Sequence, residues 1–177
     1  MEKFPEASEI FLDGLERRIQ KPRNLKRRKK LYSGKCKATT RKNVVITNDR
    51  KKILILSPTK SGRRHDKRLA DKLSLVERIP ENVTILADTG FQGIQAVHTN
   101  CLLPMKATSL KNKPLTRIQK QENHVIASFR VVVEHAISGI KRMKAASDIY
   151  RNRLPNLDDT FMLLSAGLWN FHLQQTQ

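Results

Sequence analysis

The sequence predicts an α/β fold in which helices flank a mixed β-sheet. Strand-length apolar runs fill the first two thirds of the chain, and two longer helical patterns close it. One run, Val83 to Ala87, is apolar enough for a central strand that is covered on both faces. Because 177 residues suffice for one proper core and are few for two, we expect a single domain.

Turn-forming residues separate the predicted strands. Ser8 to Asp13 alternates in polarity, and we expect Gly14 to end it, which puts Asp13 at the C-terminal end of the strand. A hairpin is predicted where two apolar runs flank residues 48–51. The predicted strands are Ser8–Asp13, Asn43–Thr47, Lys52–Ser57, Val83–Ala87 and Cys101–Leu103.

Three segments have helical periodicity. His65–Ile79 is expected to end before Pro80, and Thr160–Gln174 is apolar enough to pack as a closing helix. The polar residues Met105–Lys120 are expected to form a loop. Glu122–Lys144 is predicted to be one long helix with a continuous apolar stripe. The stripe consists of Ile126, Phe129, Val133, Ala136, Ile137, Ile140 and Met143.

The net charge of +19 points to a polyanionic partner, most commonly nucleic acid. Thirteen Lys or Arg and no acid occur from Arg17 to Lys42. A solvated basic tail is one interpretation. We favour a surface for DNA phosphates, which gives affinity and salt dependence without sequence specificity. The residues expected to make these contacts are Arg27, Arg28, Lys29, Lys30 and Lys35.

Nothing in the sequence favours a membrane or an exported protein. The apolar runs are far shorter than a membrane span, and no export signal opens the chain. Cys36 and Cys101 lie far apart without metal-binding companions, so neither a disulfide framework nor a zinc site is supported. A reduced intracellular compartment fits best.

Three acids stand out by position: Asp13 and Asp88 at the ends of predicted strands, and Glu134 on the long helix. Acids at the carboxyl ends of adjacent strands converge at one edge of a sheet, where a buried carboxylate needs a cationic partner. Mg²⁺ suits such a site, and two ions can activate water and stabilise the leaving oxygen in phosphodiester hydrolysis. Arg130 and Lys141 lie beside Glu134 on the helix, where ordinary surface ion pairs are the alternative interpretation.

Six stretches carry a more specific signal. They are LDGLERRIQKP around Asp13, YSGKCKATTRKNVV from Tyr32, SPTKSGRRHDKRLAD from Ser57, LADTGFQGI around Asp88, VVVEHAISGIKR around Glu134 and LPNLDDTFMLLSAGLWNFHLQ near the C-terminus. In these stretches the chain resembles the catalytic domain of DDE-type insertion-sequence transposases, and also the DDE superfamily endonucleases of Harbinger-type elements. The resemblance covers nearly the whole chain in the right order, and it implies a ribonuclease H-like fold.

The resemblance also implies a mechanism. Asp13, Asp88 and Glu134 would hold two Mg²⁺ or Mn²⁺ ions, water would cut at the ends of the element, and the exposed 3′ hydroxyl would attack target DNA. One branch of these proteins has the helix motif Tyr-x2-Arg-x3-Glu-x6-Lys. Arg130, Glu134 and Lys141 match it, with Ala127 at the Tyr position, and the two cations would hold DNA phosphates.

The stretch that begins at Ser57 contains His65-Asp66, where Asp66 is either a helix-capping residue or a catalytic one. We expect residues 1–177 to form one DDE catalytic domain without the DNA-end-recognition region that usually precedes it. Either a separate reading frame supplies that region or the chain is a remnant.

The expected partners are duplex DNA, a second copy of the chain in a synaptic complex, and a separate DNA-recognition polypeptide. The expected location is the bacterial cytoplasm, on the nucleoid when DNA is bound. A catalytically inactive basic DNA-binding protein derived from a transposase is the alternative function. A ribonuclease H-like enzyme acting on RNA or on junctions is a third.

Overall fold

A mixed sheet organises residues 7–105 and 115–176, the part of the chain that the computed structural model describes. The strands are β1 (Glu9–Arg18), β2 (Tyr32–Ser33), β3 (Ala38–Asn48), β4 (Ile53–Leu56), β5 (Lys60–Ser61), β6 (Thr84–Ala87) and β7 (Cys101–Leu102). The helices are α1 (Leu25–Leu31), α2 (Asp66–Lys72), α3 (Arg117–Lys141), α4 (Lys144–Ser147) and α5 (Leu157–Thr176).

Strand β1 lies at the centre of the sheet. It pairs antiparallel with β3 on one side and parallel with β6 on the other, and β7 continues the parallel part. Strands β2, β4 and β5 each pair antiparallel with β3. This curled mixed sheet with flanking helices is a ribonuclease H-like fold, which confirms the predicted fold class.

Each face of the sheet has its own hydrophobic core, because successive side chains of a strand point to opposite faces. Ile10 and Leu12 of β1 pack on the face that α2 covers. Phe11 and Leu15 pack on the other face, beneath α3 and α5. Asp13 lies between Phe11 and Leu15 in this alternation, so it belongs to the face covered by α3.

Helices α3 and α5 pack tightly against each other at Gly139. A Cβ atom at this position would lie 2.2 Å from the ring of Trp169. The ring is itself fixed, since Trp169 Nε1 donates a 2.9 Å hydrogen bond to the Lys51 carbonyl. The side chain of the next residue, Asn170, exchanges two 2.8 Å hydrogen bonds with the backbone of Ile53, and these bonds tie α5 to β4.

The prediction for the first strand was wrong at its end. Gly14 does not terminate β1, which continues to Arg18, and Asp13 therefore lies inside the strand. The continuation is stabilised by pairing with β3, in which Gly14 lies opposite Val44 and Arg18 opposite Thr40. Long-range pairing outweighed the local turn preference of glycine.

The helix predictions need three corrections. Helix α2 ends at Lys72 because the backbone turns into the left-handed region at Ser74, where φ is 47°. Helix α3 begins at Arg117, inside the segment predicted as a loop; residues 106–114 of that segment lie outside the described ranges. The predicted apolar stripe is buried only from Val133 to Ile140, and Phe129 and Met143 on either side of this part are 39% and 38% exposed.

None of the helices in the two described ranges is both long and apolar enough to cross a membrane.

Candidate active site

Asp13 and Asp88 lie side by side on neighbouring parallel strands. The register pairs Leu12 of β1 with Ala87 of β6, and the two aspartates are the next residues along each strand. Because Leu86 packs in the core beneath α3, alternation puts Asp88 on the same face as Asp13. The sequence predicted that these two acids converge, and the register brings them together.

Both aspartates are held in the same way by the backbone. Oδ1 of Asp13 accepts a 2.6 Å hydrogen bond from the N–H of Gly14, and Oδ1 of Asp88 accepts one of the same length from Thr89. Burial raises the pKa of the Asp13 carboxyl above its ordinary value, and the charge of Asp88 adds to this. The Gly14 hydrogen bond and the Arg130 charge oppose the rise without cancelling it. Asp13 is thus a carboxylate that gains from a strong positive charge nearby.

Glu134 lies on helix α3, which packs over the strands next to this pair. The neighbouring residues Val133 and Ile137 are buried against the sheet, which fixes the helix over β1 and β6. The side chain of Glu134 is 56% exposed and projects from the edge of the interface. Its carboxylate can therefore reorient at little cost in packing.

Arg130 connects the acids. Its Nη1 lies 3.5 Å from Oδ1 of Asp88, and its Nη2 lies 3.7 Å from Oε1 of Glu134. The ion pair of Arg130 with Glu134, which was the alternative interpretation of this spacing, is therefore present, with Asp88 as an additional partner. These distances are long for hydrogen bonds, so the guanidinium acts mainly through its charge.

The acid pair suits a divalent cation in its chemistry. Mg²⁺ commonly binds through one or two carboxylates and retains water and phosphate ligands, and adjacent Asp13 and Asp88 supply two carboxylates. Within residues 7–105 and 115–176, no three His, Cys, Asp or Glu side chains stand close enough to hold an ion together. Glu134 would have to turn inward, and Arg130 would have to leave its place between the acids.

Most of the predicted DNA-binding cations lie on exposed surface. Lys35 is exposed in the turn between β2 and β3, and its charge acts on Asp13. Lys141 is exposed at the end of α3. In α1, Arg27, Lys29 and Lys30 are exposed and Arg28 is half-buried, with its Nε donating to the Pro22 carbonyl.

Two members of the basic segment do not belong to that surface. Arg17 is only 3% exposed, and its guanidinium donates to the Ala145 carbonyl and stacks over the ring of Tyr150. Lys42 is 5% exposed and points to the α2 face. Both cations are buried within the fold, because alternation along a strand turns part of any charged run inward.

The role of Asp66 was left open by the sequence. Its Oδ1 lies 2.9 Å from Nζ of Lys42, on the face of the sheet opposite the catalytic candidates. Its carboxylate lies directly behind both acid-bearing segments, since a Cβ added to Gly14 or Gly90 would come within 2.8 or 3.0 Å of it. Asp66 thus lies behind the two segments, and a side chain at either glycine would have to displace its carboxylate.

Glu16 completes this buried group behind the sheet. Its Oε2 lies 3.7 Å from Nζ of Lys42. Burial alone would raise the pKa of Glu16, but hydrogen bonds from Ser33 and Thr40 and the charge of Lys42 lower it below its ordinary value. The His65-Asp66 pair was the sequence signal for this group. Glu16 and Lys42, the partners of Asp66, are brought to it by β1 and β3.

Replacing the half-buried Asp13 should stabilise the fold. Asp13 has a raised pKa in the folded state, so its contribution to stability is fully present below the ordinary aspartate pKa and is lost as the pH rises through the folded value. Asp13→Asn cannot ionise, and we expect it to unfold at higher urea concentration than the wild type at neutral pH without metal. The gain should shrink as the pH is lowered.

The matched control for that measurement is the exposed turn residue Asp49. Asp49→Asn should change the free energy of unfolding by less than about 0.5 kcal/mol. An Asp13→Asn protein that is less stable than the wild type at neutral pH would contradict the account of Asp13 as a poorly solvated carboxylate.

A ribonuclease H-like sheet with two adjacent aspartates beneath an acid-bearing helix defines the class of DDE-type nucleases. The chain belongs to the DDE superfamily endonuclease family, whose sequence model matches residues 12–170. It is also 33% identical over 164 residues to a protein from Microchaete diplosiphon described as a probable transposase for insertion sequence element IS702. That match covers 93% of this chain and 57% of the relative. No solved structure gives a significant match.

These comparisons confirm the resemblance to DDE-type transposases and endonucleases. The family match includes all three acids and Arg130. The chain spans little more than half the length of this curated relative, so the match does not by itself assign the activity of a whole transposase to the chain.

Proposed function

We propose that the chain is the catalytic domain of a DNA transposase that cleaves phosphodiester bonds with divalent metal ions. The observation that carries this proposal is the adjacent pair Asp13 and Asp88 beneath Glu134, with Arg130 between them. The family match and the net charge of +19 both favour DNA as the substrate.

In this proposal Asp13, Asp88 and Glu134 hold Mg²⁺ or Mn²⁺, with two ions as the expected number. Bound ions supply a Lewis acid that activates water and stabilises the departing 3′ oxygen. The positions of the three acids determine where the ions can bind. We expect Asp13 to gain most from a bound ion, because the groups around its carboxylate do not fully offset the effect of its burial.

Arg130 is proposed to exchange its partners when DNA arrives. Its guanidinium is held only loosely by Asp88 and Glu134, and its buried Nε has no hydrogen-bond partner among the described residues. A phosphate oxygen would satisfy that donor, and the acids would be released to bind metal. Lys35 and Lys141 extend the positive surface on either side.

Two reactions would follow at the site. In the first, a water oxygen forms a bond to phosphorus and the 3′ oxygen leaves with a proton. In the second, the 3′ hydroxyl attacks a target phosphodiester, so that one phosphorus–oxygen bond forms as another breaks and no further energy source is needed. We propose that a homodimer performs the second step, because two DNA ends have to be held together, and that end recognition belongs to a separate polypeptide region.

The experiment that tests the function is nicking of supercoiled plasmid by the purified chain. We expect Mn²⁺ or Mg²⁺ to support conversion to the open circle, and we expect EDTA to stop it. A chain that binds the plasmid and never nicks it, with either metal, would instead favour the inactive DNA-binding protein.

The basic helix α1 gives a separate prediction about DNA binding. Replacing Arg27, Arg28, Lys29 and Lys30 together by Ala should weaken binding to duplex DNA and reduce the slope of log K against log salt by about 2–4, since each phosphate contact contributes about 0.9. The measurement is fluorescence anisotropy over a series of salt concentrations.

A control protein with the same change in net charge separates contact from general attraction. Four exposed cations away from α1 serve for this: Arg50, Lys52, Lys72 and Arg78. Their replacement by Ala should reduce the slope much less. An equal effect of both variants would mean that α1 makes no specific contact with phosphates.

A further inference from the structure

A second basic feature of the fold is a groove at the far end of β1. It has a volume of about 690 Å³ and lies where the end of β1 meets β2, the start of β3 and residues 149–151. Five of its lining residues are cations and none is an acid; the cations are Arg18, Lys21, Arg28, Lys37 and Arg151. The side chains that line the groove therefore favour an anionic ligand.

The interior of the groove differs from a simple phosphate-binding surface. Tyr32 and Ile149 line it and remain 45% and 48% exposed, and Ile19 and Ala38 add further apolar surface. Duplex DNA offers phosphates and base edges to a protein surface, and neither of these stacks on an exposed aromatic ring. An unpaired base can stack on such a ring, because its face is free.

The floor of the groove is rigid. Ile19 N–H donates to the Thr39 carbonyl at 3.0 Å, and Gln20 N–H donates to the Tyr150 carbonyl at 2.9 Å. The backbone of Tyr32 is held beside them by its pairing with Thr39 in the sheet. A ligand would therefore meet a groove whose backbone is already in place, which lowers the cost of binding.

The groove is also connected to the acid site. The turn between β2 and β3 carries Lys35, whose charge reaches Asp13, and Lys37, which lines the groove. Strand β1 links the two places directly, since Asp13 and Arg18 are five residues or about 16 Å apart along it. A DNA strand of a few nucleotides could span this distance.

We propose that this groove binds an unpaired nucleotide of the DNA substrate, with its base on Tyr32 and its phosphates between the surrounding cations. The proposal goes beyond the cleavage function and rests on it only for the choice of DNA as the polyanion. It adds a binding site for single-stranded DNA to a chain whose other contacts suit the duplex.

The test compares two fluorescein-labelled DNAs by anisotropy in EDTA, one a blunt duplex and the other the same duplex with a four-nucleotide single-stranded extension. Because no metal is present, the result does not depend on cleavage, and a failure here would leave the plasmid assay unaffected. We expect the extended duplex to bind about fivefold to a hundredfold more tightly, the range for stacking of one base.

Three variants identify the ring as the cause. Tyr32→Ala should lose the preference for the extension while binding the blunt duplex as before, and Tyr32→Phe should keep it because the stacking face survives. Phe171→Ala removes another exposed aromatic ring, on α5, and should leave the preference unchanged.

Two results would overturn the proposal. One is a wild type that binds both DNAs equally, and the other is a Tyr32→Ala protein that retains the preference. A 2-aminopurine base in the extension gives an independent measure, since stacking on Tyr32 should quench its fluorescence.

Discussion

Glu134→Gln is expected to abolish metal-dependent DNA nicking while leaving DNA binding intact. The substitution keeps the size of the side chain and removes the charge that a divalent cation requires. Even changes in groups that only orient a metal ligand cost about 10–100-fold in affinity or activity, so the loss of a ligand should reduce the nicking rate by at least about a hundredfold. Binding should survive because Glu134 is an acid on a basic surface.

The control for this prediction lies on the same helix. Glu122 is exposed in α3, away from the acid pair, and Glu122→Gln makes the same chemical change. It should nick plasmid at the rate of the wild type. Retained nicking by Glu134→Gln would remove Glu134 from the set of metal ligands, whereas equal loss in both variants would indicate a general effect on α3.

Gly139→Ala is expected to have the largest effect on stability. The new methyl group would lie 2.2 Å from the Trp169 ring, which is 8% exposed and is held by its hydrogen bond to Lys51. The better helix propensity of alanine, worth about 0.5–1 kcal/mol, cannot offset a clash with a ring that has nowhere to move. We expect a net loss of about 1–3 kcal/mol in the free energy of unfolding, measured by urea denaturation.

Gly167 in α5 is the matched control for that experiment. A Cβ atom at Gly167 would meet nothing within 4 Å, so Gly167→Ala keeps the gain in helix propensity without the clash. It should raise the free energy of unfolding by about 0.5–1 kcal/mol. If both variants changed stability in the same direction, the contact between α3 and α5 would not have the close packing described above.

The acids on simple elements were the most predictable part of the site. Asp88 follows an apolar strand directly, and Glu134 lies within a helix whose neighbouring residues are apolar, so local sequence was enough to place both. The place of Asp13 at the end of a strand was predicted wrongly. Gly14 looked like the end of a strand, but it lies opposite Val44 of β3 and has the carboxylate of Asp66 close behind it, so β1 continues through it.

The rest of the site depends on long-range pairing, which no local pattern reveals. The antiparallel register of β1 and β3 brings Lys42 to Glu16 and Asp66, and it turns two cations of a basic run into buried structural residues. The exposure of the first half of α3 could not be predicted from local pattern either. Its apolar residues have helical spacing, but all buried residues of this helix lie from Val133 onward.

The most direct test of the account is calorimetric titration of Mn²⁺ into the purified chain and into Asp88→Asn, with and without duplex DNA. We expect saturable binding by the wild type and binding at least about a hundredfold weaker in the variant, because Asp88 is one of the two carboxylates that the sheet holds side by side. The same affinity in both proteins, or no binding by the wild type even with DNA present, would contradict the assignment of these acids to a metal site.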